Sequence, residues 1–193
     1  KIAHCGEVCG EESNTMADSL WNVMCDDCFS AIYKPEFGSI AFNVWHMARI
    51  EDITINCIVT EGEQVFNTND FEKRVNSSIT DCGTGITPEG ILAMTPHLDM
   101  YALKDYRMAV GLQTRKVVST LTPKDLIQKT SSSQMEKIIK EKAVLEIESA
   151  QWLIDFWQEH NGAENIVLPT TFHNYFHLNR CLEIKAEWES NQG

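Results

Sequence analysis

Two histidines stand four residues apart near the C-terminal end of the sequence. His173 and His177 lie in the segment 168–180, LPTTFHNYFHLNR, which has the pattern of a helix start. Residues at i and i+4 share one helix face, so both imidazoles are predicted to point the same way. Two imidazoles on one face are half of a transition-metal site, which usually takes a third protein ligand from elsewhere in the fold.

His46 is the natural candidate for that third ligand. It lies in the segment 41–49, AFNVWHMAR, where the apolar residues Val44 and Met47 indicate one buried face of a helix. A buried and neutral imidazole can bind a metal ion. The alternative is a histidine that only fills the core beside a chance HxxxH spacing, in a packing domain without metal.

Length and composition predict a single domain, residues 1–193. The hydrophobic fraction of 43% and the charged fraction of 23% are ordinary for a soluble globular protein. A net charge of −12 leaves no basic surface for phosphates, so neither nucleic acid nor an anionic membrane is expected as a partner. The sequence contains no apolar run of about 18 residues and no secretory signal pattern, which favours a cytoplasmic protein.

The seven cysteines are scattered and lack the dense spacing of a disulfide scaffold. Cys25 and Cys28 have the two-residue gap of a zinc knuckle or of a redox pair. However, the segment 16–25 before them reads as a continuing helix, and no thioredoxin-like strand is visible. These two cysteines are therefore predicted to be packing residues, as are Cys57 and Cys181.

The chain divides into helical segments joined by turns. Pro35 ends the first helix, and Ser39 is a possible N-cap of the second, which carries His46. Thr122 and a serine-rich segment at 131–136 start two further helices, and Asn161-Gly162 is interpreted as a helix C-terminal cap. The predicted long helices span 15–33, 39–59, 99–121 and 170–188, with short pieces at 71–75 and 89–94 in an irregular connection, and further helices after 122, after 131 and over 150–157.

This pattern predicts an all-α fold, an antiparallel four-helix bundle with short extra helices in the connections. In such a bundle, helices on facing sides can supply metal ligands to one core site. His46 from the second helix and the pair from the last helix are expected to converge at one end of the bundle.

With these segments in place, the chain resembles the DinB/YfiT-like superfamily of metal-dependent proteins. The matching segments are 39–52, SIAFNVWHMARIED, and 168–178, LPTTFHNYFHL, and the segment 106–126 is similar to that family's third helix and the following turn. The resemblance implies a homodimer and a divalent metal held by His46, His173 and His177. The charge-rich segment 131–148 and the irregular segment 67–96 exceed a minimal bundle of this family.

Three neutral imidazoles leave coordination positions open, as in catalytic zinc or nickel sites. Characterised relatives in the superfamily include transferases that use low-molecular-weight thiols such as bacillithiol or mycothiol. The resemblance therefore implies a thiol S-transferase or a hydrolase acting on a small molecule, with zinc or nickel as cofactor and a thiol as cosubstrate. The alternative is a non-catalytic stress-response bundle that binds a metal or another ligand without turnover.

Four polar residues near the histidines are candidates for a substrate pocket. Arg49 and Arg180 each follow a predicted ligand by three residues, so each could hold a substrate carboxylate. The alternative for both is an ion pair with a neighbouring acidic residue. Asn43 and Asn174 are further candidates, with ordinary helix hydrogen bonding as their alternative. His4, His97 and His160 are left out of the predicted site.

Overall fold

The computed structural model describes residues 4–10 and 15–193, and this part of the chain is all-α. It contains no β-strand, only an isolated antiparallel bridge between Lys129 and Asn161. None of its helices is both long and apolar enough to cross a lipid bilayer. The helices are α1 (Gly6–Cys9), α2 (Met16–Trp21), α3 (Asp26–Ser30), α4 (Ile40–Asp52), α5 (Val65–Thr68), α6 (Phe71–Arg74), α7 (Pro88–Met94), α8 (Met100–Val118), α9 (Pro123–Ile127), α10 (Ser132–Lys140), α11 (Glu148–Glu159), α12 (Gly162–Val167) and α13 (Asn174–Ser190).

Helix α4 is the central element of the fold. The Ser39 hydroxyl accepts the backbone N–H of Phe42 and caps its first turn, and every residue of the helix is buried. A helix that is buried all round needs neighbours on several sides, and α8 and α13 supply the most extensive of them. A functional side chain on α4 therefore lies inside the protein.

A second core forms around the continuation of α4. Residues Ile53–Val59 form a π-helical segment in which Ile53 and Ile58 pack against the apolar faces of α10 and α11. The indole N–H of Trp157 donates to the Thr54 hydroxyl at 3.1 Å. The predicted second helix over 39–59 is therefore helical throughout, but its last part has π-helical rather than α-helical hydrogen bonding.

The predicted first helix over 15–33 is wrong, because α2 ends at Trp21 and α3 begins only at Asp26. Between them, Val23 adopts a positive φ of 53°, which a helix does not allow. The buried ammonium of Lys185 on α13 donates to the carbonyl oxygens of Ser19, Leu20 and Asn22. These bonds satisfy the last turn of α2 from outside, so the helix can end there.

Replacing Lys185 with methionine is expected to lower the free energy of unfolding by about 2 kcal/mol. Methionine keeps most of the apolar stem but leaves the three carbonyls without their donor. Urea unfolding followed by circular dichroism measures the change, with the exposed Lys116→Met on α8 as the matched control. Equal stability of the two variants would contradict the capping role of Lys185.

The end of the chain forms one long helical run rather than a helix that starts at Thr170. The prediction that Asn161 is the C-terminal cap of the preceding helix is wrong. Asn161 is the N-cap of α12 and forms a capping box with Glu164. Gly162 is needed there because a Cβ would lie 2.3 Å from the carbonyl oxygen of Asp125. Pro169 then falls inside a π-helical segment, Leu168–His173, which leads directly into α13.

The other predicted helices are found with shifted ends. Asp99 caps α8, which ends at Val118, and Thr122 begins α9 with the expected proline at the first position. The serine-rich segment starts α10 as predicted, with a capping box that joins Ser131 to Gln134. The loop after α10 places the Ala143 carbonyl against the Cys82 N–H at 2.8 Å, which fixes the backbone beside α4.

Candidate metal centre

The fold brings together the three histidines that the sequence singled out. His46 lies on α4, His173 at the end of the π-helical segment, and His177 in the first turns of α13. One ring nitrogen from each lies within 4.8 Å of the other two. Within residues 4–10 and 15–193, this is the one group of three or more His, Cys, Asp or Glu side chains that is close enough to hold a metal ion.

The π-helical segment positions the HxxxH pair. Its wider turn accommodates Pro169 and is stabilised at Thr170, whose hydroxyl donates to the Ile166 carbonyl at 2.7 Å. His173 itself has ordinary helical dihedral angles, with φ −63° and ψ −49°. It therefore keeps the i, i+4 relation to His177, and the two ring centroids are 4.5 Å apart.

Hydrogen bonds on the outer side of two rings determine which nitrogen faces the centre. His46 Nδ1 lies 2.6 Å from the carbonyl oxygen of Cys82, which can only accept, so Nδ1 carries the proton. His177 Nδ1 lies 2.6 Å from Asn43 Oδ1. The Asn43 amide nitrogen donates to the carbonyls of Phe37 and Ser39, which fixes its oxygen toward His177. Both Nε2 atoms thus present lone pairs to the centre.

The spacing of one nitrogen pair, from His46 and His173, is close to that around a bound transition-metal ion. His46 Nε2 and His173 Nε2 are 3.1 Å apart. Two nitrogens bound tetrahedrally at about 2.0–2.1 Å from zinc would lie about 3.3 Å apart. His173 Nδ1 is buried and has no protein hydrogen-bond partner. The three rings together can hold a metal ion, with the ring of His173 bound least firmly by the protein.

The environment keeps all three imidazoles neutral at pH 7. Burial lowers the pKa of His46 to about 4, although the Cys82 carbonyl acts in the opposite direction. Burial also lowers the pKa of His173 and His177, and the repulsion that two protonated rings would feel at this distance lowers both further. Only the neutral imidazole has a lone pair for a metal, so the rings are in the binding form.

A buried carboxylate next to the site was missed at the sequence level. Glu51 on α4 is fully buried and accepts four hydrogen bonds. Oε1 accepts from His4 at 3.0 Å and from the Thr114 hydroxyl at 2.7 Å. Oε2 accepts from Arg107 at 2.9 Å and from the Asn174 amide at 2.7 Å. Asn174 directly follows His173, so Glu51 anchors the start of α13 beside a candidate ligand.

Favourable contacts outweigh the cost of burying Glu51. Burial alone would raise the pKa of its carboxyl group, but His4 and Arg107 beside it bring the pKa well below its usual range. His4 reaches Glu51 by passing over Gly111, where a Cβ would lie 2.4 Å from His4 Nδ1. The available sequence signals were an acidic residue in a mostly apolar helix and a glycine inside α8.

The four substrate-pocket candidates have different surroundings. Arg49 is buried in the core, where it donates to the Thr80 carbonyl at 2.7 Å and to the Tyr106 hydroxyl at 3.2 Å, and it lies 3.8 Å from Asp52. This agrees with the ion-pair alternative and directs Arg49 away from the histidines. Asn43 supports His177 and Asn174 donates to Glu51, so both act within the protein. Arg180 is half-buried, and its positive charge helps to lower the pKa of His46 and His177.

Cys25 and Cys28 do not join the candidate centre. Cys25 precedes the first turn of α3, and Cys28 is buried against the core. Burial raises the pKa of the Cys28 thiol to about 11, and the nearby Cys25 adds to the effect. A thiol with a raised pKa is a poor nucleophile and a poor metal ligand, which agrees with the predicted packing role.

No protein-family model matches the chain, and no curated protein matches it. The resemblance to the DinB/YfiT-like superfamily therefore depends on the helix order and histidine motifs described above.

Replacing Asn43 with alanine is expected to weaken metal binding about tenfold, because His177 loses the acceptor that orients its ring. Titration with cobalt(II) against a chromophoric chelator measures the affinity. Asn179→Ala, at a half-buried position on α13, is the matched control. Asn43→Asp retains an acceptor and is expected to recover most of the affinity. An Asp variant as weak as the Ala variant would contradict this role.

Proposed function

We propose that the protein is a divalent-metal-dependent enzyme of the DinB/YfiT-like type, with His46, His173 and His177 as its metal ligands. The observation that supports this most strongly is the convergence of three neutral imidazoles from distant parts of the chain. Two of these imidazoles have their Nδ1 protons held by protein acceptors. A histidine that only filled the core would not need two neighbouring histidines whose ring nitrogens face its own.

The helix arrangement is compatible with the bundle that this proposal requires. Three helices of the proposed bundle are α4, α8 and α13. Helix α4 packs on both α8 and α13. The broken pair α2 and α3 packs on α13 and α4, and in the proposed bundle it would take the fourth position. We propose that zinc or nickel is the metal, since imidazole ligands suit both ions.

We propose that a small molecule reaches the centre from the side of His173. This ring is half-buried, whereas His46 and His177 are buried. The neighbouring Phe172 and Phe176 are 73% and 50% exposed and form an apolar rim. Three protein ligands leave at least one coordination position open, so a small molecule can approach from this side.

A metal ion at this centre would supply Lewis acidity that lowers the pKa of a coordinated water or thiol. A general base beside the metal often assists hydrolysis. The buried carboxylate Glu51 is saturated by four hydrogen bonds and cannot serve as that base. Thiols are far more acidic than water and need no base once bound. We therefore favour transfer of a thiol to an electrophilic small molecule over hydrolysis.

Metal-reconstituted protein tests this function. The purified protein is loaded with zinc or nickel and assayed with cysteine or 2-mercaptoethanol and the chromogenic electrophile 1-chloro-2,4-dinitrobenzene. We expect a rate that depends on the metal and disappears in His177→Ala, whereas Asn179→Ala keeps it. Metal binding without any rate above the metal-free protein, over a broad panel of thiols and electrophiles, would instead indicate a non-catalytic binding protein.

A further inference from the structure

Arg180 has no acidic partner among the described residues of a strongly acidic protein. The chain has 28 acidic and 16 basic residues. Of the other arginines, Arg49, Arg74 and Arg107 lie within ion-pair distance of carboxylates, and Arg115 donates to the Val8 carbonyl. Among the described residues, Arg180 has no hydrogen bond and no ion pair. Its guanidinium N–H groups are therefore free to bind a ligand.

Two aromatic rings hold this guanidinium in place. Its central carbon lies 4.0 Å from the ring centroid of Phe176 and 5.0 Å from that of Phe37. Stacking on ring faces leaves the N–H groups at the edge of the guanidinium unused, and this edge matches a carboxylate in a bidentate geometry. An ordered arginine loses less conformational entropy on binding than a freely moving one.

The position of Arg180 relates it to the candidate metal centre. It follows His177 by three residues on α13, which places neighbouring side chains about 5–6 Å apart at their Cβ atoms. Phe176, on which it stacks, also contacts the His177 ring edge to face at 5.2 Å between centroids.

We propose that Arg180 selects an anionic substrate, one that carries a metal-binding atom and, a few ångströms away, a carboxylate. The metal would take the first group and Arg180 the second. This inference rests on the proposed metal centre and adds the chemical class of the molecule that the centre accepts. Arg49 cannot share this role, since its guanidinium is already bound in the core.

Two thiols that differ in one group test the proposal. 3-Mercaptopropionate carries a carboxylate, whereas 3-mercapto-1-propanol carries a neutral hydroxyl at the same distance from sulfur. The protein is loaded with cobalt(II), and each thiol is titrated while the visible and near-ultraviolet absorption of the site is recorded. This readout reports binding and does not depend on turnover.

The preference for the carboxylate thiol is the ratio of the dissociation constants of the alcohol and the carboxylate thiol. We expect this ratio to be about fivefold larger in the wild-type protein than in Arg180→Met. Methionine preserves apolar packing against Phe176 and Phe37 but removes the charge. The affinity for the neutral alcohol is expected to stay the same in both proteins. The preference should also weaken as the salt concentration rises, because the guanidinium is half-exposed.

Arg74→Met is the matched control. Arg74 also stacks on a phenylalanine, with 4.7 Å to the Phe71 centroid, but it pairs with Asp105 away from the histidines. Its loss should leave the preference unchanged. An unchanged preference in Arg180→Met, with cobalt bound normally, would overturn the role of Arg180 and leave the metal centre intact. A wild-type protein that does not bind cobalt would overturn both.

Discussion

Replacing Glu51 with glutamine is expected to lower the free energy of unfolding by about 3 kcal/mol at pH 7. The carboxylate is fully buried and accepts from His4, Arg107, Thr114 and Asn174. A glutamine of the same shape brings no charge and turns an acceptor into a donor. Arg107 and His4 then lose their carboxylate inside the protein. Urea unfolding followed by circular dichroism measures the loss.

The pH dependence of this loss has a defined sign. Because the folded-state pKa of Glu51 is lowered, its ionisation stabilises the fold above the unfolded pKa of about 4.3. That contribution disappears as the pH falls below this value toward the folded pKa. The difference between wild type and Glu51→Gln should therefore be complete at pH 7 and shrink in acid. The exposed Glu183→Gln is the control, and a Glu51 variant equally stable at pH 7 would contradict this account.

Zinc is expected to raise the free energy of unfolding of the wild-type protein by about 2.7 kcal/mol when its free concentration is a hundred times the dissociation constant. The gain follows because the folded state brings together three ligands that lie far apart in the unfolded chain. Thermal unfolding in metal buffers of fixed free zinc concentration measures it. We expect no comparable shift for His177→Ala.

A second variant separates this effect from metal binding elsewhere. His160→Ala removes an imidazole whose Nδ1 hydrogen-bonds the Phe156 carbonyl outside the centre. It should keep the full zinc-dependent shift. Equal shifts in His177→Ala and wild type would show that zinc stabilises the protein from another site and would remove the thermodynamic support for the triad.

The sequence predicted the helical class and most helix positions, because the apolar spacing and the Ser39, Asp99 and Thr122 starts are local signals. It failed where distant residues decide. The break after Trp21 depends on Lys185, which is far away in sequence and reaches the last carbonyls of α2. The early start of the last helical run depends on a π-helical segment that accepts Pro169. In the sequence, this proline indicated a helix that starts after it and not one that continues through it.

The candidate site divides in the same way. Its three histidines were predictable from residue type and helical spacing. Their support was not, since Cys82 offers a backbone carbonyl that any residue would have, and that backbone is fixed by the distant Ala143. Glu51 was likewise hidden because His4 and Arg107 reach it from other parts of the chain. Polar networks assembled across helices leave little trace in local sequence.

The most direct test of the central claim is elemental analysis of untagged protein, wild type beside the His173→Ala/His177→Ala double variant. The proteins are purified in parallel without chelators, and circular dichroism establishes that both are helical. We predict about one divalent transition-metal ion per chain in the wild type and almost none in the folded variant. Equal metal content in the two proteins, or no metal in either after incubation with zinc or nickel, would contradict the metal centre.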